Sequence, residues 1–171
     1  YNFHLMFTTL LNFCSNELSS FYFDIRKDTI YCDKIDSIKR RSSRTLLDII
    51  FNYMIRWLSP TLVFTCEEAW KSIGKSTSIH LEEFLKTNKD FKNEKIAKRW
   101  NRILDIRKVI TGAMELKRED KTIGSSLEAH IDVYLTNEDK ILLKDIDIAE
   151  IAITSSANII FENQKDRGFS I

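Results

Sequence analysis

Residues 17–33 of this 171-residue chain read E-L-S-S-F-Y-F-D-I-R-K-D-T-I-Y-C-D. They end a longer pattern in which apolar residues recur every three or four positions, as they do along one face of an α-helix. The pattern consists of Phe3, Phe7, Leu10, Cys14, Leu18, Phe21 and Ile25. It predicts a long amphipathic helix that frays near Lys27-Asp28-Thr29, where turn-prone and β-branched residues interrupt the spacing.

A second helix is predicted to begin at Ser37. Its apolar stripe, which we expect to be buried, consists of Leu46, Ile50, Tyr53, Met54 and Trp57. The opposite face carries polar residues four apart, namely Arg40, Arg44, Asp48, Asn52 and Arg56. Gly74 is expected to end a short third helix, because glycine readily adopts the left-handed conformation found after a helix C-terminus.

A fourth, long helix is predicted from about Asn93. Its inward residues are expected to be Ile96, Trp100, Ile103, Ile110 and Met114. Arg107 falls inside that stripe, so we expect it either to pair with a carboxylate or to extend to the edge of the core.

The period of the pattern changes near Gly124. Apolar and polar residues alternate from Leu127 to Leu135, which predicts a half-buried strand. Thr136 is then expected to cap a short helix, and the β-branched stretch 148–161 predicts further strands. The chain is therefore predicted to be mainly α, an antiparallel helical bundle followed by a small α/β junction element. The predicted domains are residues 1–92 for the bundle and 93–171 for the long helix with the junction element.

Composition points to a globular protein, because 43% of the residues are hydrophobic and 30% are charged. No apolar run reaches the length of about 20 residues that a membrane-spanning helix needs. The first residues show neither an initiator Met nor a signal-peptide pattern, so we expect a segment of a longer protein. The isolated Cys14, Cys32 and Cys66 are typical of reduced thiols in the cytoplasm, and with three unclustered histidines they predict no metal site in this chain.

Charge is unevenly distributed although the formal net charge is only +1. Residues 85–122 hold 12 Lys or Arg against 6 Asp or Glu, whereas residues 123–171 hold 4 against 9. A polyanion is expected to approach the first two-thirds of the chain and to avoid the acidic tail. An ordinary solvated surface remains an alternative explanation of the same counts.

No catalytic site is predicted. Gly74-Lys75-Ser76 resembles the end of a phosphate-binding loop, but Ala69 stands where that motif needs its first glycine. Glu67 and Glu68 are adjacent, so on a helix their carboxylates point about 100° apart and do not converge. No Ser/His/Asp or Cys/His grouping stands out either.

Five basic residues are the predicted contacts for a polyanion such as RNA. Arg40, Arg41 and Arg44 lie at the start of the second helix, where the helix dipole disfavours cations, which favours an anionic ligand at this position. Arg26 and Lys27 are second choices, because the end of the first helix alone would explain cations there. For all five, a solvated surface or a structural role remains the alternative.

Three stretches of the chain resemble isoleucyl-tRNA synthetases. They are residues 17–33, residues 56–70 with R-W-L-S-P and F-T-C-E-E-A-W, and residues 121–129 with K-T-I-G-S-S-L-E-A. They occur in the family's order and cover the chain from about Tyr1 to about Tyr134. The resemblance implies the helical anticodon-binding region of a class I synthetase, which grips the anticodon stem-loop of isoleucine tRNA.

The resemblance also implies what surrounds this region. The family's catalytic histidine-x-glycine-histidine and lysine-methionine-serine-lysine-serine motifs are absent from the sequence, so this chain alone is expected to be inactive. ATP and Mg would serve the parent ligase, and a zinc module would lie beyond this chain. A cytoplasmic monomer that binds neither DNA nor membrane is expected. The alternatives are a non-catalytic scaffold module and the same region of a valyl- or leucyl-type enzyme.

Overall fold

The computed structural model describes residues 2–161, with the side chain of residue 161 excepted. A continuous helical run opens the chain, made of α1 (Phe3–Asn12), a π-helical segment (Phe13–Phe23) and α2 (Asp24–Tyr31). It is followed by α3 (Ile38–Leu58), α4 (Val63–Ser72) and α5 (Glu94–Glu119). The remaining elements are β1 (His130–Leu135), α6 (Asn137–Leu142), α7 (Ile148–Ala152) and β2 (Ser156–Phe161). The predicted class, mainly helical with a small α/β element, is confirmed.

The described chain divides into two compact units. One is Arg26–Lys92, and the other consists of the described parts on either side, up to Ile25 and from Asn93 onward. The predicted boundary after residue 92 coincides with one edge of this division. The first 25 residues, however, group with the C-terminal part, because Phe21 and Ile25 pack into the core that α5 organises.

The larger core forms around α5. Its best-buried members include Ile103, at 1% exposed, and Ile148, at 3%. Trp100, Ile103, Ile110 and Met114 face this core as predicted, but Ile96 is 54% exposed because it lies in the first turn, before the core begins. Asn93 starts α5 by accepting hydrogen bonds from the backbone N–H groups of the first turn.

Strands β1 and β2 form a two-stranded parallel sheet, in which His130 pairs with Ser156 and Leu135 with Phe161. The predicted alternation is present, since Val133 and Leu135 are buried, whereas Leu127 is 62% exposed because it lies in a short 3-10 turn before β1. Thr136 caps α6 as predicted, its Oγ1 accepting from the Asp139 N–H. The expected strands in 148–161 are wrong for Ile148–Ala152, which is helical and capped by Asp147.

The smaller unit has a core of four buried side chains, Ile55, Cys66, Trp70 and Ile79. Ile79 is only 1% exposed, and the turn that carries it is fixed by Glu67, whose carboxylate accepts from the Ser78 hydroxyl at 2.8 Å and the Ile79 N–H at 3.0 Å. The Ser78 hydrogen bond lowers the pKa of the Glu67 carboxyl. Gly74, with φ of 84°, ends the segment after α4, as predicted.

The predicted faces of α3 are partly wrong. Trp57 is 39% exposed, whereas Arg56, expected on the polar face, is 8% exposed. Its guanidinium lies 5.0 Å from the centre of the Trp70 ring, and Nη2 donates to Glu82 Oε2 at 2.8 Å. An arginine with an acidic partner and an aromatic ring can be buried at a position that an apolar pattern assigns to solvent.

The first helix also departs from its prediction. It continues to Tyr31 without fraying at residues 27–29, because Thr29 is packed at 5% exposure and the Cys32 N–H still donates to the Asp28 carbonyl at 2.7 Å. No residue of α1 is buried, and the first buried residue of the predicted stripe is Leu18.

Candidate nucleic-acid interface

The predicted RNA contacts lie around the connection between α2 and α3. We call residues 31–44 the α2–α3 corner. Ser37 caps α3, its Oγ accepting from the Arg40 N–H at 3.4 Å, and the same hydroxyl donates to Asp33 Oδ2 at 3.1 Å. The Ser37 N–H donates to the Lys34 carbonyl at 3.0 Å. The turn is thus tied to the start of α3 by hydrogen bonds of both its backbone and its side chains.

Arg40 adds a further hydrogen bond between α3 and this turn. Its side chain is half-buried, and Nη1 donates to the Asp33 carbonyl at 2.6 Å. Its Nε is buried and has no hydrogen-bond partner among residues 2–161. Arg40, which the pattern places on the polar face of α3, is therefore only partly exposed, since the turn before α3 offers its guanidinium a carbonyl oxygen.

Arg41 and Arg44 differ from Arg40. Both are exposed, and within the described part of the chain their side chains make no hydrogen bond or ion pair. They lie three residues apart in the first two turns of α3, and therefore on one side of the helix. Two uncompensated cations at the end of a helix where its dipole disfavours them leave this surface strongly attractive to an anion.

Arg26 and Lys27 lie on α2, in the same compact unit as α3. Lys27 is exposed, whereas Arg26 is half-buried and already has an interaction partner. Of the five predicted contacts, the structure therefore brings Arg40, Arg41 and Arg44 together, and it leaves Arg41, Arg44 and Lys27 the most accessible.

Three apolar side chains at the α2–α3 corner are exposed, and the sequence analysis did not predict this surface. Tyr31 is 77% exposed, Ile35 77% and Ile38 81%. A usable signal existed for two of them, because Ile35 lies between Lys34 and Asp36 and Ile38 precedes Lys39, outside any apolar periodicity. Tyr31 is the last residue of α2, whereas the apolar pattern predicted that the helix would already fray at residues 27–29.

A polar cluster on the outer face of the sheet resembles a catalytic triad in composition. His130 Nδ1 lies 2.6 Å from Ser156 Oγ, and His130 Nε2 lies 2.9 Å from Asn158 Nδ2, which also donates to Asp132 Oδ1 at 2.9 Å. The ring of His130 also lies 3.6 Å from Asp132 Oδ1, and both side chains are about half exposed. The cluster is therefore an exposed hydrogen-bond network on the strand pair, and we assign it no catalytic role.

An open hollow of about 430 Å³ lies at the C-terminal end of α5. Its lining places Glu115 and Glu119 beside Arg118 and Lys121, and Arg118 Nη1 is already paired with Glu115 Oε1 at 2.7 Å. With acids and bases balanced, this hollow does not select an anion. In residues 2–161, no helix is both long and apolar enough to cross a membrane.

Comparisons with known proteins agree with the resemblance found in the sequence. The family model described as the anticodon-binding domain of tRNA ligase matches residues 1–135. An isoleucine–tRNA ligase from Bartonella henselae is 48% identical over 93% of this chain and 17% of its own length. Ligases of the same name from Pelagibacter ubique and Agrobacterium fabrum are 46% and 40% identical, over 92% and 100% of this chain and 18% of their own lengths.

The chain thus spans less than a fifth of the curated relatives that it matches. The matched domain covers α1 to β1, the helical part that carries all five predicted contacts. The chain belongs to the family of anticodon-binding domains of tRNA ligases.

Proposed function

We propose that this chain is the anticodon-binding part of an isoleucine–tRNA ligase and that it binds the anticodon stem-loop of isoleucine tRNA. Family membership and relatives that are 40–48% identical and bear that name support the proposal. Aminoacylation, with ATP and Mg, would be carried out by other parts of the parent enzyme. We further propose a cytoplasmic monomer in which any zinc module lies outside this chain.

The observation that carries the proposal is the pair Arg41 and Arg44. Both residues are exposed, both lack a hydrogen-bond or ion-pair partner in the described chain, and both lie in the first two turns of α3, whose start is tied to the preceding turn by Ser37, Asp33 and Arg40. RNA loops are gripped through phosphates by such cations, while unpaired bases are read by other side chains. Arg40 takes a different role here, as the residue that holds the corner in place.

A salt titration tests this role. Binding of the isoleucine anticodon stem-loop should weaken as salt rises, with a slope of roughly −0.7 per neutralised phosphate in single-stranded RNA. Arg41→Ala/Arg44→Ala should flatten the slope by about 1.4, because two counterion-releasing contacts are lost. Arg41→Lys/Arg44→Lys is the matched control, which keeps both charges and should keep most of the slope.

Circular dichroism separates this effect from unfolding, since both residues are exposed and both variants should melt like the wild type. Equal slopes for the alanine variant and the wild type would remove these arginines from the site. Failure of the wild type to bind any anticodon stem-loop would favour a scaffold module. Tighter binding of a valine or leucine stem-loop would assign the chain to the corresponding enzyme.

A further inference from the structure

We propose that Tyr31 is a stacking platform for an unpaired base of the bound RNA loop, with Ile35 and Ile38 as the apolar surface beside it. This inference rests on the proposed function and adds to it a contact for bases, where the arginines supply contacts for phosphates. The ligand class is single-stranded RNA within a loop, whose bases can leave their own stack and lie on an aromatic ring.

The exposure of these three side chains is the first argument. Within eight residues the chain presents Tyr31, Ile35 and Ile38 to solvent at 77%, 77% and 81%. Isolated exposed apolar residues are ordinary, but three large ones gathered at one turn leave apolar surface that a ligand would cover. The hydrogen bond of 2.6 Å from Arg40 Nη1 to the Asp33 carbonyl keeps the start of α3, and with it Ile38, next to the turn that follows Tyr31.

Charge decides which ligand fits. Residues 26–45 contain seven Lys or Arg and three Asp or Glu. Arg41 and Arg44 have no partner within the described chain, so an occupant must bring its own negative charge. A loop of RNA offers both an aromatic face for Tyr31 and phosphates for the arginines, and base stacking on aromatic rings flanked by cations is how single strands are commonly held.

The corner is also preorganised for a ligand. Tyr31 is the last residue of α2, and the next residue, Cys32, still donates its N–H to the Asp28 carbonyl at 2.7 Å. A tyrosine has two side-chain torsions, so fixing it costs little conformational entropy compared with a long flexible side chain. A rigid backbone and a ring of low side-chain entropy lose little freedom when a base stacks.

Other aromatic residues of this unit fit the role less well. Trp70 is buried, and Trp57 already packs against Tyr53 with ring centres 5.5 Å apart. Phe64 is 88% exposed, but the first charged residues that follow it in α4 are Glu67 and Glu68, ahead of Lys71, which lies 3.8 Å from Glu67. Phe64 is therefore the control, an exposed ring that is followed by two acidic residues and not by the arginines of α3.

The test measures binding of the isoleucine anticodon stem-loop to Tyr31→Ala, Tyr31→Phe and Phe64→Ala variants of the whole chain. Tyr31→Ala should bind about tenfold more weakly, which is the loss of one base–aromatic stack, with an unchanged salt slope because no charge is removed. Tyr31→Phe keeps the ring and should bind within about twofold of the wild type. Phe64→Ala should not alter binding.

A second RNA shows that the loss concerns a base. The same hairpin with abasic loop nucleotides keeps its phosphates, so wild type and Tyr31→Ala should bind it equally. A hairpin carrying 5-iodouridine at single loop positions should photocrosslink to Tyr31, and the crosslink should be mapped by mass spectrometry. Circular dichroism verifies that every variant folds.

The outcomes separate the two proposals. If the wild type binds the stem-loop and Tyr31→Ala binds it equally well, the platform is refuted while the proposed function stands, and the exposed apolar surface would belong to a protein partner. If the wild type binds no stem-loop, the proposed function itself fails. A crosslink to Phe64 instead of Tyr31 would move the platform to α4.

Discussion

The arginines of α5 and the arginines at the start of α3 illustrate two uses of one side chain. On α5, Arg99 donates to the Leu142 carbonyl at 2.7 Å, and Arg102 contacts both oxygens of Asp139 at 2.8 and 2.9 Å. Arg107 donates to the Ile151 carbonyl at 3.0 Å and lies 5.1 Å from the centre of the Phe21 ring. These three guanidinium groups stabilise the larger unit, which contains α5 and the strand pair.

On the first two turns of α3, by contrast, the side chains of Arg41 and Arg44 make no hydrogen bond or ion pair within the described residues. Residues 85–122 hold twelve Lys or Arg against six Asp or Glu, and yet all four of their arginines have partners. A count of cations therefore overestimates the surface that is available to RNA. What matters is how many cations the fold has left without a partner.

The largest effect on stability is expected from substitutions in the hydrophobic cores of the two units. Trp70→Ala should cost about 3–5 kcal/mol of unfolding free energy, because the four-residue core of the smaller unit loses its largest side chain and Arg56 loses its aromatic contact. Amide hydrogen exchange should then accelerate in α3 and α4, while β1 and β2 keep their protection.

Trp100→Ala is the matched substitution in the other unit, where Trp100 is half-buried and packs edge-on against Phe21 at 6.3 Å. It should have the opposite pattern, with exchange accelerating in the larger unit. Uniform acceleration across the described chain in both variants would show that the two units unfold as one.

The ion pair between Arg102 and Asp139 provides the second test. Arg102→Ala should cost about 2–3 kcal/mol, because it leaves the carboxylate of Asp139, only 5% exposed, without its charged donor. The control is Arg118→Ala, which breaks an ion pair with Glu115 in which both side chains are about half exposed, and which should cost less than about 1 kcal/mol.

Denaturant midpoints of the two variants measure the difference. Equal losses would mean that the pair at Asp139 is no more valuable than a surface pair, and the distinction between structural and available arginines would lose its energetic basis.

The smallest expected effect is a dependence on pH. The hydrogen bond from Arg102 holds the pKa of Asp139 below its usual value of 3.8. A carboxyl whose pKa is depressed by folding stabilises the protein above its unfolded pKa, and that contribution is lost as the pH falls through the folded value. Stability attributable to Asp139 should therefore be complete near pH 6 and decline below about pH 4.

Urea midpoints at pH 6 and pH 3 measure this decline for wild type and Asp139→Asn. The variant should be less stable than the wild type at pH 6. On acidification it should lose less stability than the wild type, because its amide side chain does not titrate. A variant that loses as much as the wild type would assign the acid sensitivity to other carboxyls.

The sequence predicted the helices and the family well, because both depend on local periodicity and motif order. Ser37 and Asn93 were identified as starting points of helices from the apolar periodicity that follows them, and Thr136 was identified as a cap. All three side-chain oxygens accept hydrogen bonds from backbone N–H groups within three residues. Gly74 was identified as a helix stop for a similar local reason.

Failures concern contacts between residues distant in sequence. Arg56 is buried because it pairs with Glu82, which is 26 positions away in the chain, and the half-buried Arg107 donates to the Ile151 carbonyl, which is 44 positions away. The exposure of Tyr31 likewise depends on where the chain turns. Periodicity indicates which face of a helix is apolar, but it does not show what packs against that face.

His130 makes the strand pair observable by spectroscopy. Its Nδ1 lies 2.6 Å from Ser156 Oγ and its Nε2 lies 2.9 Å from Asn158 Nδ2, so this ring of β1 contacts β2 through both nitrogens. In nitrogen-15-enriched protein, the nitrogen chemical shifts of this single imidazole report whether the two strands remain in register. In a chain with three histidines the signal is simple to assign, and RNA titrations could be followed in the acidic part of the molecule through one ring.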